Sequence, residues 1–364
     1  MKKKVLVGMS GGVDSSVAAC LLLEQGYEVA GATLHLYNNE DTGIPKARTC
    51  CSLADVEDAR SVAEHLGIEH YVFNFGPEFR REVIARFARG YECGETPNPC
   101  IDCNKYIKFG KMLDRAKLLG FDAVATGHYA RVEYDEKIGR WLLKKAADAS
   151  KDQTYVLYTL TQEQLAHTLF PLGGFLKPEV RAIAEKHGFV NARKPDSEDI
   201  CFVPGGDYAA FLENVMKFDS KSGNFVDVNG NVLGRHKGLF HYTIGQRKGI
   251  GISFESPKYV LKKDCANNTV VLGDNKDLYS STFAVGNVNF IALDHLDKPV
   301  EAGVKVRYSQ SEAQAVIYPI ENGKVKVRFR SPQRAVTPGQ SAVFYRGDTV
   351  LGGGKILSEE MKQL

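Results

Sequence analysis

The chain has 364 residues, 43% of them hydrophobic and 25% charged, and a formal net charge of +3. That length leaves room for two or three domains with a sizeable core. The near-neutral balance excludes a globally basic nucleic-acid binder, so any such surface must be a local patch.

Val5-Leu6-Val7 reads as a short buried strand, and residues 13–23 as a helix ending near Gly26. Between them stand Ser10, Gly11 and Gly12, followed by Val13, Asp14 and Ser15. Two glycines let the backbone turn sharply and approach a ligand, and a helix N-terminus offers unpaired N–H groups to an anion. The string is a candidate phosphate cradle without the lysine of a Walker loop. Residues 28–34, 70–75 and 122–126 read as further strands, and 53–66, 77–89 and 106–119 as helices. This alternation predicts an α/β fold with a parallel sheet, whose ligands sit beyond the carboxyl ends of the strands. The glycine loop, Leu34 and Thr126-Gly127-His128 all fall there.

Past about residue 205 short apolar runs are broken by turn signals such as Asn229-Gly230 and Asn322-Gly323. Residues 283–289, 304–308, 313–318, 324–330 and 341–345 read as strands of a small antiparallel β-barrel. Lys324, Lys326, Arg328, Arg330 and Arg334 form either a phosphate-binding face or an ordinary solvated one.

No apolar stretch approaches a membrane span, and the run before the glycine loop is too short for a signal-peptide core. A cytoplasmic setting is expected, with the eight cysteines reduced, so clustered thiols point to metal binding or catalysis. Prolines at 97 and 99 are expected to keep Cys100 and Cys103 out of a helix that begins near Lys105. There Cys103 would gain thiolate support from the helix dipole and from Lys105 and Lys108. The competing reading is a zinc half-site from Cys100 and Cys103, but Cys50-Cys51 and Cys93 supply no second spaced pair. Cys201 stands between apolar residues in a proline-flanked loop, and its acidic neighbours would raise a thiol pKa.

The Ser-Gly-Gly-x-Asp-Ser string resembles the pyrophosphatase loop of the ATP-pyrophosphatase (PP-loop) superfamily. Its members adenylate a carbonyl oxygen, release pyrophosphate and let a nucleophile displace AMP, which implies ATP and Mg2+. Five further motifs stand in order. They are Thr96-Pro97-Asn98-Pro99 with Cys103-Asn104-Lys105, Ala125-Thr126-Gly127-His128-Tyr129, Lys151-Asp152-Gln153-Thr154-Tyr155, Asp196-Ser197 with Ile200-Cys201-Phe202, and Tyr242-Thr243-Ile244-Gly245-Gln246-Arg247. The set resembles the tRNA-specific 2-thiouridylase family from the first strand to Gln340.

The resemblance implies an ATP-dependent tRNA-uridine 2-sulfurtransferase. By position, Gly8, Met9, Ser10, Gly11, Gly12, Val13, Asp14, Ser15, Leu34 and Gly127 would bind ATP. Cys103 would be the nucleophile and Cys201 the persulfide carrier, with a Cys103–Cys201 disulfide as by-product. Asn98, Pro99 and Cys100 would touch the target base. Lys151, Asp152, Gln153, His128, Arg307, Tyr308 and Gln340 would contact tRNA. A cysteine desulfurase or a sulfur-relay protein would supply sulfur.

The implied parts are a PP-loop nucleotide-binding domain over 1–207, a small central domain over 208–280 and a C-terminal barrel over 281–364. No protein-bound metal is assigned; an iron–sulfur cluster on Cys100, Cys103 and Cys201 is the alternative route. One departure is Cys100, where many members carry aspartate. Two rival readings are a PP-loop synthetase with a small-molecule acceptor, which leaves the cysteines unexplained, and a non-enzymatic RNA-binding module, which pyrophosphate release would exclude.

Overall fold

The computed structural model describes residues 2–38, 53–196 and 200–358. Cys50, Cys51 and Ser197 lie outside the described residues. The chain forms two compact units. The first takes residues up to Ile84, Pro99–Asp207 and Asp348–Leu351; the second takes Ala85–Asn98, Tyr208–Gly347 and the chain from Gly352 onward.

The first unit is built on a five-stranded sheet in the order β3-β2-β1-β4-β7. Its strands are β1 (Lys4–Gly8), β2 (Glu28–His35), β3 (His70–Asn74), β4 (Ala123–Thr126) and the two-residue β7 (Thr168–Leu169). All the pairings are parallel, as the alternation with helices requires. Val5, Leu6 and Val7 are fully buried because the central strand is covered on both faces. Helices α1 (Val13–Glu24) and α2 (Leu53–Leu66) fall where the apolar spacing put them. An antiparallel hairpin of β5 (Ala130–Asp135) and β6 (Arg140–Lys145) branches off after β4. Asp348 belongs to this unit: it accepts from Arg131 Nη2 at 2.9 Å, lies 3.4 Å from Lys144 Nζ, and its carbonyl accepts from Lys145 N.

One helix boundary is corrected. The helix after Pro97 begins at Pro99, not near Lys105: α3 (Pro99–Asp102) runs into a π-helical stretch, Cys103–Lys111, and then into α4 (Met112–Leu118). Proline is tolerated at a first helical position, where its missing N–H would have had no partner, so Pro99 starts the helix rather than delaying it. Cys100 therefore occupies the first turn, and Cys103 lies inside the helix. Further along, α5 (Lys177–Lys186) lays Val180 and Ala184 into the same core as Val17, Ala18 and Leu21 of α1.

In the second unit a four-stranded sheet has the order β10-β11-β8-β9, from β8 (Gly223–Val226), β9 (Val232–His236), β10 (Tyr259–Asp264) and β11 (Thr269–Gly273). Phe225, Val260, Val270 and Leu272 fill its core. The strands that follow are β12 (Tyr279–Phe290), β13 (Val300–Lys305), β14 (Ala313–Pro319), β15 (Val325–Arg334), β16 (Ser341–Arg346) and β17 (Thr349–Ile356). Their order is β12-β15-β14-β13-β16-β17, and Val285 of β12 pairs with Ile356 of β17 to close the barrel.

The sixth strand, β17, is absent from the five strands read from the sequence, and it carries Gly352-Gly353-Gly354. Here glycine lets strands approach closely: a Cβ on Gly352 would lie 2.3 Å from Asn289 O, and one on Gly354 2.6 Å from Gly286 O. The strand expected at 304–308 is instead Val300–Lys305, which leaves Arg307 and Tyr308 beyond its end.

Candidate functional site

In the first unit the chain leaves β1 through Gly8 and the buried Met9, turns at Ser10-Gly11-Gly12 and enters α1. Met9 is pinned on both sides: its N–H donates to Ala32 O and its carbonyl accepts from Thr33 Oγ1, each at 2.8 Å. The loop also closes on itself, with Ser10 N donating to Ser15 Oγ at 3.2 Å and Ser15 Oγ donating to Gly12 O at 3.0 Å. Gly12 is the N-cap, and no side chain caps the first turn. The unpaired amides of a helix's first turn are the groups that an anion meets.

Two glycines are obligatory here. Gly11 has φ +73°, and a Cβ on it would lie 2.4 Å from Asp55 O. A Cβ on Gly127, just past β4, would lie 2.7 Å from Ser15 N. Leu34, half-buried near the end of β2, pairs with Phe73. The strand ends expected to carry the nucleotide site thus lie side by side in one sheet.

Behind the loop is a charge network that sequence reasoning missed. Lys177, on the first turn of α5, reaches Asp14 and Asp196 Oδ1, the latter at 2.8 Å. Lys151 and Arg181 add contacts to Asp196 at 2.9 and 3.1 Å. Burial pushes the Asp196 carboxyl up, but the hydrogen bonds and charges of Lys177 and Lys151 outweigh it and hold the group below its ordinary value. Tyr129 donates to Asp14 Oδ1 at 2.9 Å; burial and the Asp14 charge push its phenol well above the usual range. Lys194 donates to Asp55 and Asp58 and reaches Gly11 O at 3.2 Å. Asn191 donates to Gly11 O at 3.0 Å, while its own buried Oδ1 has no partner among the described residues. Lys194 stands in the Lys-Pro-Asp string and could have been noticed; nothing local marks Lys177.

Three residues assigned to tRNA are half-buried and also have partners within this unit. Lys151 pairs with Asp196, Asp152 accepts from Ala146 N and Thr154 Oγ1, and Gln153 Oε1 accepts from Tyr129 N at 2.9 Å. His128 is buried between the rings of Phe109 and Phe170, with Thr126 Oγ1 2.7 Å from Nδ1 and Lys108 Nζ 3.5 Å from Nε2. Burial, with the Lys108 charge added, pulls its pKa well below the ordinary histidine value, so the ring is neutral.

The thiols differ in setting. Cys100 is exposed on the first turn of α3, Cys103 is buried in the π-helical stretch, and Cys201 is half-buried in a turn. Lys108, expected as a cation for Cys103, has its Nζ 3.5 Å from His128 Nε2, and Lys105 lies over the Tyr106 ring at 5.2 Å. The Cys201 carbonyl accepts from Tyr37 OH, and the neighbouring Phe202 is buried edge-on to Phe79.

The second unit has a pocket of about 230 Å³ lined by Thr96, Thr243, Arg307, Tyr308, Thr337 and Gln340, among others. Arg307 Nη2 donates to Ile244 O, Ala335 O and Thr337 Oγ1 at 2.9–3.2 Å, which fixes the guanidinium. Gln340 Nε2 donates to Thr96 O, and the buried Thr96 Oγ1 has no partner among the described residues. Gly339, at φ +89°, is required because a Cβ there would lie 2.6 Å from Glu95 Cβ. Arg307, Tyr308 and Gln340 are therefore brought together, and Asn98 ends the second unit's segment that contains Thr96. Among the described residues no helix is long and apolar enough to cross a membrane.

Three family models match in succession: the tRNA methyl transferase HUP domain over residues 3–205, the tRNA methyl transferase PRC-barrel domain over 209–274 and the aminomethyltransferase beta-barrel domain over 280–356. A tRNA-specific 2-thiouridylase MnmA of Acetivibrio thermocellus is 55% identical over 357 residues, covering 98% of this chain and 99% of the relative. One from Caldanaerobacter subterraneus is 54% identical over 354 residues, 97% of each chain. One from Clostridioides difficile is 51% identical over 356 residues, 98% of each chain.

Proposed function

Because the chain belongs to the tRNA-specific 2-thiouridylase family, we propose that it is the enzyme that converts a tRNA wobble uridine to 2-thiouridine at the expense of ATP. ATP would lie with its phosphates on Ser10–Ser15 and its adenine side toward Leu34 and Gly127, and magnesium would come in with the nucleotide. The cradle supports this: the first-turn amides of α1 carry no side-chain cap, and Gly11 and Gly127 keep side chains out of the loop. Lys177 is a cation for the departing pyrophosphate, poised beside the loop on Asp14. Attack of the uridine O2 on the α-phosphorus forms the O-adenylated base and releases pyrophosphate.

A persulfide on Cys201 then delivers sulfur. Its terminal sulfur forms a bond to C2, AMP leaves with the C–O bond electrons, and the base is held as a Cys201 disulfide. The Cys103 thiolate attacks Cys201 Sγ, forming a Cys103–Cys201 disulfide and releasing 2-thiouridine. A thiol reductant resets the pair, and a cysteine desulfurase or relay protein reloads Cys201. The pocket around Arg307, Tyr308 and Gln340, with Lys151–Gln153, is the proposed tRNA contact set. The target base must be splayed out of its loop to react.

The test is mass analysis of nucleosides from tRNA incubated with the protein, ATP and a sulfur donor. The expected product is 2-thiouridine with one AMP per base; AMP release that survives ribonuclease treatment of the tRNA overturns the reading. Cys201→Ser should lose persulfide loading, whereas Cys103→Ser should load sulfur and stall before product. A colourless, iron-free and fully active preparation separates this route from a cluster route.

A further inference from the structure

Cys20 and Glu24 are four residues apart on α1 and so share a helix face. His187, the C-cap of α5, meets them there: its Nε2 is 3.5 Å from Cys20 Sγ and 3.5 Å from Glu24 Oε1. All three ligand atoms lie within 4.8 Å of one another. In a tetrahedral zinc site, bonds of about 2.3 Å to sulfur and about 2.05 Å to nitrogen put those two ligand atoms about 3.5 Å apart. The Cys20–His187 spacing matches that value. The His187 ring is held by stacking on Phe189, with centroids 5.7 Å apart. None of the three side chains serves the nucleotide loop or the thiol chemistry.

We propose that Cys20, Glu24 and His187 bind one divalent cation of borderline softness, zinc by its donor set, with water as fourth ligand. The sulfur is buried while the Glu24 and His187 side chains are 55% and 28% exposed, so the cation enters from the carboxylate side. Burial and the Glu24 charge push the Cys20 thiol up to about 11, against a downward pull from Lys186. The metal-free site therefore holds a thiol. Loading exchanges its proton for the metal: Cys20–SH and Zn2+ give the Cys20 thiolate–zinc bond and one released proton. Thiolate and carboxylate together balance the two positive charges. Bound zinc ties α1, which starts at the glycine loop and carries Asp14, to α5, which carries Lys177.

The experiment uses the full chain, reduced and chelator-treated, in a Cys100→Ser, Cys103→Ser, Cys201→Ser background so that those sulfurs do not compete. Zinc is added against a chromophoric chelator, with proton release and zinc-edge X-ray absorption as readouts. The expected result is one equivalent bound with proton release and one sulfur in the first shell, all lost in Cys20→Ser. Glu24→Gln, on an exposed side chain, keeps its far-UV circular dichroism and weakens zinc about tenfold or more. Equal zinc binding with and without Cys20, or an equivalent insensitive to both Glu24→Gln and His187→Gln, overturns the site. So does the absence of binding at micromolar zinc.

Discussion

Lys177 Nζ sits 2.7 Å from Asp14 Oδ1 and 2.8 Å from Asp14 Oδ2, so the carboxylate of the glycine loop is held through both oxygens. The lysine side chain is only 9% exposed, so water screens this contact little. Since the same ammonium also reaches Asp196, removing it leaves Asp14 without its ammonium partner and Asp196 with Lys151 and Arg181 alone among the cations described. Lys177→Met is expected to cost about 3 kcal/mol of stability and to slow 2-thiouridine formation about 100-fold or more. Affinity for tRNA should stay near wild type. Wild-type turnover in this variant would remove Lys177 from the proposed pyrophosphate role.

Asp196 gives that network a pH signature. Its folded pKa lies below the ordinary carboxyl value, so its contribution is present above the unfolded pKa near 4 and is lost as pH falls through the folded value. Urea midpoints measured from pH 5 down to pH 2 should fall more steeply for wild type than for Asp196→Asn. Parallel curves would mean that the ion pairs do not couple to folding.

His128 acts in a different window. Its folded pKa is depressed, so the unfolded chain binds a proton that the native one refuses. Its contribution is complete above about pH 6.5 and declines as pH falls below that. Replacing His128 with glutamine should flatten the loss of stability between pH 7 and pH 5. An unchanged pH slope would show that the ring titrates in the native protein.

The two obligatory glycines can be set against a permissive one. Gly127→Ala meets backbone at 2.7 Å, and Gly11→Ala meets it at 2.4 Å with a left-handed φ as well. Each should cost about 2 kcal/mol or more and abolish ATP-dependent turnover. A Cβ on Gly12 finds only Ser10 Oγ, at 3.5 Å, and Gly12→Ala should fold normally. Equal melting temperatures for all three variants would contradict the close packing of the loop.

On β15, Lys326 and Arg328 point outward while Val325, Val327 and Phe329 are buried, the alternation expected of a barrel wall. Arg330 on the same face is paired with Glu301 at 2.7 Å. If this face touches tRNA phosphates, replacing Lys326 and Arg328 with alanine should lower the slope of log affinity against log salt by about 1.5. An unaltered slope assigns them to the solvated surface.

The main-sheet strands and α1 and α2 could be read from residue order alone, because an apolar run bounded by glycine or polar residues leaves a buried parallel strand few alternatives. The start of the helix at Pro99 could not, since proline both breaks and begins helices and only the packing decides. β17 was hidden because its glycines serve close strand contact, which no local pattern records. In the site, the loop announced itself through its spacing. Lys177 did not, for a lone lysine on an amphipathic helix looks like any solvated one until Asp14 and Asp196 are placed beside it.

Asp348 completes the first unit from far along the chain, 217 residues after its partner Arg131. During synthesis the parallel sheet can assemble as soon as Leu169 has emerged, and the β5–β6 hairpin can pair with itself, but its contacts to Asp348 must wait. At about 5–20 residues per second the ribosome takes on the order of 10–40 s to supply the missing partner. For that interval Arg131 and Lys144 keep their contacts to Lys145 O and Glu133 within the hairpin but lack Asp348, and the Lys145 amide lacks the Asp348 carbonyl. A nascent chain halted ahead of residue 348 would carry the whole nucleotide loop yet leave this hairpin edge open to other strands or to a chaperone.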